Sequence, residues 1–175
     1  MPKNYPYRPN VAMLVYRPQD LLLWLGERLD DPGHWQLPQG GVDLAESLEQ
    51  NVIRELVEEL GAEATLFGAP RKLSATHRYK WDRPREYGGE WFCGQDQTYW
   101  LVPFSGADSD LNLSLKHPEF QNFKWVTPDD VRALAPARRL EGYEPALKEF
   151  EALRDVLRDV SVRGNLNGRQ KGSRK

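Results

Sequence analysis

The chain has 175 residues, 39% hydrophobic and 29% charged, with 24 bases against 26 acids for a net charge of −2; that length suits one domain with its own core and is short for two. Its single cysteine, Cys93, excludes an internal disulfide framework and suits a reducing compartment. Met1–Tyr5 carries no apolar signal region and the nearest apolar run, Leu21–Leu25, is too short to span a membrane, so a cytoplasmic protein is expected.

Asn10–Tyr16 and Leu21–Gly26 are short apolar runs split by Arg17-Pro18-Gln19-Asp20, which predicts two strands joined by a turn. Asp30-Asp31-Pro32-Gly33 reads as a loop. In Trp35–Gly41 a proline and paired glycines oppose regular structure. A helix is expected from near Ser47, where Ser47 and Gln50 could form a capping box, or one turn earlier with Asp43 and Glu46. Leu48, Val52, Ile53, Leu56 and Leu60 give it an apolar stripe, and Gly61 is a natural stop.

Further strands are expected at Ala64–Phe67, Leu73–Tyr79, Thr98–Phe104 and Phe123–Val126. Thr127 would cap a short helix over Pro128–Leu134. Tyr143–Val160 reads as an amphipathic helix with Leu147, Phe150, Leu153, Val156 and Leu157 on its buried side. Strands flanked by two or three helices indicate an α/β or α+β sandwich occupying residues 1–160. From Ser161 onward there are five bases and no acid, leaving 19 bases against 26 acids in the rest. Such a polar tail (161–175) has almost nothing to bury, which predicts disorder. A solvated terminus is its plainer use, and contact with RNA phosphates a second one.

Glu55, Glu58 and Glu59 fall within one helical turn, where like charges repel. A hard divalent cation relieves that repulsion, and magnesium combines carboxylate ligands with substrate phosphates. The cluster lies in a longer pattern. Gly40, five residues, Glu46, seven residues, then Arg54-Glu55-Leu56-Val57-Glu58-Glu59-Leu60-Gly61-Ala62 resembles the Nudix box. Seven identities at fixed spacing meet by chance at one position about once in 10⁸, at ~7% usage per residue type. The one departure is Ala62, where the family prefers a larger aliphatic residue.

The resemblance implies a Nudix α/β/α sandwich with a mixed central sheet. It implies a magnesium (or manganese) site at Gly40, Glu55, Glu58 and Glu59, and a structural ion pair between Glu46 and Arg54. Tyr7-Arg8-Pro9-Asn10-Val11, Trp35–Gly41, Gly94–Trp100 and Pro118–Val126 are similar to segments of the bacterial RNA pyrophosphohydrolases and the related dinucleoside polyphosphate hydrolases. By that similarity Glu119 is a late metal ligand or base, and Arg8 and Arg28 face substrate phosphates. Arginine suits that task because its planar fork pairs with phosphate in two places. Arg139, or Arg138 beside it, could do the same from the segment before the last helix.

The mixture of bases and aromatics from His77 to Phe92 suits either core packing, the commoner use of alternating aromatics, or stacking of a nucleobase. His34, His77 and His117 lack metal-ligand spacing. Cys93 has no evident base partner. The expected activity is metal-dependent hydrolysis of a phosphoanhydride, with Glu58 or Glu119 as the base. The expected partner is a nucleotide or RNA 5′ end, with no membrane and no reading of DNA, in a monomer or small homo-oligomer. Triphosphorylated RNA and dinucleoside polyphosphates both remain open as substrates, and a non-catalytic nucleotide-binding regulator is the remote alternative.

Overall fold

The computed structural model describes residues 4–170, with side chains through residue 159. Among these residues the elements in chain order are β1 (Tyr7–Tyr16), β2 (Leu23–Arg28), β3 (Trp35–Gln36), β4 (Gln39–Gly41), α1 (Leu48–Leu60), β5 (Arg71–Tyr87), β6 (Glu90–Pro103), β7 (Phe120–Val126), α2 (Pro128–Leu134) and α3 (Ala137–Gln170).

A mixed sheet runs in the order β3-β2-β1-β6-β5, with β4 added to β1 and β7 to β2. β1 and β6 pair in parallel from Tyr7↔Gly94 to Tyr16↔Pro103, and the other pairings are antiparallel. β1 is covered on both sides, which is why it reads as a continuous apolar run. Val11, Met13 and Val15 pack with Val52, Leu56 and Leu60 of α1. Ala12, Leu14 and Tyr16 pack with Val131 of α2 and with Tyr143, Leu147 and Phe150 of α3. Two cores back to back across one sheet make the expected α/β/α sandwich.

Helix ends follow local chemistry. Ser47 and Gln50 form the capping box of α1, and Gly61 closes it in the left-handed conformation at φ 66°. Thr127 and Asp130 do the same for α2. Three expectations change. Ala64–Leu66 is a 3₁₀ turn, and Phe67 makes an isolated bridge to Phe104 in place of a strand. The hairpin β5–β6 extends well beyond Leu73–Tyr79 and Thr98–Phe104, and turns at Gly88 and Gly89. α3 begins six residues before Tyr143 and its backbone continues through Gln170, into the stretch whose composition suggests disorder. Extending a helix already nucleated against a core is cheap. Residues 171–175 of that tail lie outside the described residues. Among the described residues no helix is long and apolar enough to cross a membrane.

Candidate active site

The irregular Trp35–Gly41 segment is bound to β1. Pro38 accepts from the Met13 N–H at 2.9 Å, and β4 pairs Asn10↔Gly41, Val11↔Gly40 and Ala12↔Gln39. This lays two glycines against functional side chains. A Cβ on Gly40 would stand 1.9 Å from Glu55 Cδ, and one on Gly41 would stand 2.0 Å from Arg8 Nη2. Glycine leaves room at both for these side chains to lie flat on the backbone. The Arg8 guanidinium is held from its other side by the Tyr87 ring, 4.0 Å from the ring centroid.

Glu59, on the inner side of α1, is 5% exposed. Its Oε2 accepts from the Gln39 N–H at 3.2 Å, while Oε1 is buried without a hydrogen-bond partner. Burial pushes its carboxyl well above the usual range, and the nearby Glu119 and Glu55 carboxylates push it further. Glu119 comes from just before β7, with its carbonyl accepting from Leu29 N–H at 2.9 Å and its neighbour Phe120 paired to Arg28. Burial also raises Glu55, against the opposing pull of Arg54, and Glu58 and Glu119 add repulsion. So Glu55, Glu59 and Glu119 share one field. Glu58 is turned away, with its side chain 58% exposed and 3.5 Å from Arg54 Nη1.

Arg54 ties the box together. Its Nε donates to Glu46 at 2.9 Å, Nη1 to Glu55 at 2.8 Å and Nη2 to Asn51 Oδ1 at 2.7 Å. Asn51 is a residue the sequence reading passes over. It is fully buried, its Oδ1 also accepts from Asp43 N–H at 2.6 Å, and its Nδ2 donates to the carbonyls of Asp43 and Ser47. A lone asparagine on a helix gives no periodic signal, although a polar residue between Gln50 and Val52 on a face turning inward (Val52 is fully buried) is the hint that was available.

Beside the box opens a cleft of about 980 Å³ between the β2–β3 loop, β5 and the start of α3. Arg139 stands at its inner end, with Nη1 donating to Gln39 Oε1 at 3.0 Å and Nη2 to Gln36 Oε1 at 3.2 Å; its Nε is buried and unpartnered. Gln97 joins the same Gln39 oxygen and reaches Asn10 Oδ1. The path from Arg139 through Gln39 to Glu59 therefore links cleft and carboxylates. Arg28 lines the mouth, where Asp30 engages it in a two-point pair at 2.6 Å. Arg138 lies beside His34, with Nη2 3.2 Å from Nδ1. His34 is 5% exposed, and burial holds its imidazole below its ordinary value. The buried Cys93 is free. Of the expected residues, Glu55, Glu59 and Glu119 lie near enough to perturb one another and Gly40 lies against Glu55. Arg8 and Arg139 flank them, Arg28 lies at the cleft mouth, and Glu58 faces outward to Arg54.

The inner carboxylates fit a hard divalent cation. A buried, unpartnered Oε1, mutual repulsion among carboxylates and an all-oxygen donor set are what such an ion answers. Among the described residues no three His, Cys, Asp or Glu side chains are fully converged on one point, since Arg54 draws Glu55 and Glu58 to itself.

The NUDIX domain pattern matches residues 6–150. An RNA pyrophosphohydrolase of Wolbachia pipientis is 35% identical over 153 residues, covering 84% of this chain and 91% of the relative. An RNA pyrophosphohydrolase of Erythrobacter litoralis is 37% identical over 140 residues, covering 75% and 84%. Among solved structures, an Ap4A hydrolase binary complex from C. elegans matches with a TM-score of 0.56 at 25% identity, covering 83% of this chain and 96% of that one. The E. coli dihydroneopterin triphosphate pyrophosphohydrolase, at 15% identity and a TM-score of 0.58, covers 84% and 96% and shares the fold.

Proposed function

The chain belongs to the Nudix family, and on that footing we propose that it hydrolyses a phosphoanhydride at the 5′ end of RNA. A 5′-triphosphate end would become a 5′-monophosphate end with release of pyrophosphate. The relatives named RNA pyrophosphohydrolase support this choice of substrate. The observation that carries it is the continuity from the carboxylates to an arginine-lined cleft through Glu59, Gln39 and Arg139. A buried acidic cluster beside guanidinium groups suits a substrate whose reacting part is polyanionic. A reducing cytoplasmic setting, in keeping with the lone Cys93, belongs to the same proposal.

Glu55, Glu59 and Glu119, with the Gly40 carbonyl, are the residues that would hold the metal, and Glu58 would join them by leaving Arg54. When bound, magnesium or manganese neutralises phosphate charge and makes a water more acidic. The chain's own groups do the remainder. Glu119 or Glu58 accepts the proton as the water oxygen bonds to phosphorus and the phosphorus–oxygen anhydride bond breaks toward pyrophosphate. Arg8 and Arg139 hold the phosphate oxygens in line, with Arg28 joining from the cleft mouth by exchanging Asp30 for phosphate. Glu46, Arg54 and Asn51 keep loop and helix in register.

The second reading is the same chemistry on a dinucleoside polyphosphate, favoured by the likeness to the Ap4A hydrolase complex. Turnover of 5′-triphosphorylated RNA and of diadenosine tetraphosphate at equal concentration separates them. Higher kcat/KM on the RNA is expected, and a clear preference for the dinucleotide would replace the first reading with the second.

A further inference from the structure

β5 carries six bases and two acids in a chain of net charge −2. Its alternation divides the strand in two. Leu73 and Ala75 belong to the core shared with α3, and the same face continues outward as His77, Tyr79 and Trp81, which line the cleft. The pairing with β6 then breaks. Lys80 opposes Gly94 and Arg85 opposes Phe92, so that residues 81–84 face Cys93 alone. A bulge of this kind bends a strand and re-aims its side chains, and Pro84 is tolerated there because β5 is the sheet edge.

The bulge presents Trp81 with the Arg85 guanidinium 4.8 Å from its ring centroid and the Tyr87 ring 5.8 Å away. Arg28, Arg78 and Arg132 each have a carboxylate partner. Among the described residues Lys80, Arg83 and Arg85 have no ion-pair partner. Charged residues and a proline also guard an edge strand against unwanted pairing, but that task needs no tryptophan turned toward the cleft beside unpaired cations.

Resting on the RNA reading above, we propose that the bulged part of β5, Trp81 to Arg85, is a second contact surface for single-stranded RNA. It would take nucleotides downstream of the 5′ end that the inner cleft holds. Unpaired cations follow a phosphate backbone, and an aromatic face stacks any base without reading its identity. A dinucleoside polyphosphate has no downstream chain and would gain nothing from this surface.

The test uses the full chain, Trp81→Ala and the double substitution Arg83→Ala/Arg85→Ala, with two probes: a 5′-triphosphorylated dinucleotide and a 5′-triphosphorylated unstructured 12-mer. The proposal expects each variant to raise KM for the 12-mer by at least about fivefold, with the dinucleotide unchanged. In the double variant the slope of log KM for the 12-mer against log salt should shrink by about 1.4, from ~0.7 per cation removed. Equal KM for the 12-mer in wild type and variants would overturn the proposal, as would an equal loss on both probes. If wild type hydrolyses neither probe, the enzymatic reading fails instead. Binding of a 5′-hydroxyl 12-mer by fluorescence anisotropy then decides the surface, with weaker binding by both variants supporting it and unchanged binding overturning it.

Discussion

The buried amide of Asn51 accepts a hydrogen bond from Arg54 Nη2 at 2.7 Å while holding both the N–H and the carbonyl of Asp43. One side chain thus fastens the loop after Gly41 to the helix that carries Glu55 and Glu59. It also orients the arginine that grips Glu46 and Glu55.

Asn51→Ala should therefore destabilise the fold by about 1–3 kcal/mol, because the Asp43 N–H and Arg54 Nη2 lose their acceptor inside the protein. For a chain of this length that is a fall in Tm of several degrees, at about 2–4 °C per kcal/mol. Thermal unfolding checks it, and a Tm within a degree of wild type would show that the amide is dispensable.

The two glycines of the loop separate two tasks. Gly41→Ala places a methyl where the end of the Arg8 side chain lies, and that flexible end can swing away. Stability should change by less than about 0.5 kcal/mol, while losing one charge-assisted phosphate contact should cost about 10- to 100-fold in kcat/KM. Gly40→Ala pushes on Glu55 instead and should weaken magnesium binding measured by calorimetry. If Gly41→Ala leaves steady-state kinetics unchanged, Arg8 does not hold substrate.

Much of this was legible in the sequence because it is local. Ser47 with Gln50, Thr127 with Asp130 and the spacing of Gly40, Glu46, Arg54 and the glutamates each depend on residues close in the chain. Other features depend on distant partners. Arg139 reaches Gln39 and Gln36 only because α3 starts early and crosses the box loop. The outer part of β5, with Asp82, Arg83, Pro84 and Glu86, lacks the apolar alternation of a strand and is held by its pairing with β6. Ala64–Phe67 looked like a strand by composition, but Glu63 to Phe67 closes on itself in a 3₁₀ turn.

His34 gives a pH dependence with a definite sign. Burial holds its imidazole below the ordinary 6.5, with Arg139 and Arg138 adding to burial and Asp31 opposing it. The unfolded chain then binds more protons than the folded one as pH falls below about 6.5. The stability from a neutral His34 is fully present above that pH and is lost as pH drops toward the lowered folded value. Urea unfolding at pH 7 and pH 5 should show a larger loss for wild type than for His34→Gln. Equal losses would mean that the imidazole does not titrate differently on folding.

Glu59→Gln should separate stability from function. With no divalent ion present, burial, together with Glu119 and Glu55, disfavours the charged form of Glu59, whose Oε1 has no hydrogen-bond donor. An amide can keep the Gln39 N–H and donate to a neighbouring carboxylate. The metal-free variant should gain about 1 kcal/mol or more, and its Tm should rise less than that of wild type when magnesium is added. Equal magnesium-induced shifts would remove Glu59 from the metal site.

The most direct test is pyrophosphate release from 5′-triphosphorylated RNA in magnesium, measured with wild type and Glu59→Gln side by side. Wild type should yield pyrophosphate and 5′-monophosphorylated RNA. The variant should lose more than about 100-fold in turnover, beyond the loss typical of residues that only orient a ligand. Wild-type turnover in the variant, or no pyrophosphate from wild type, would contradict the account.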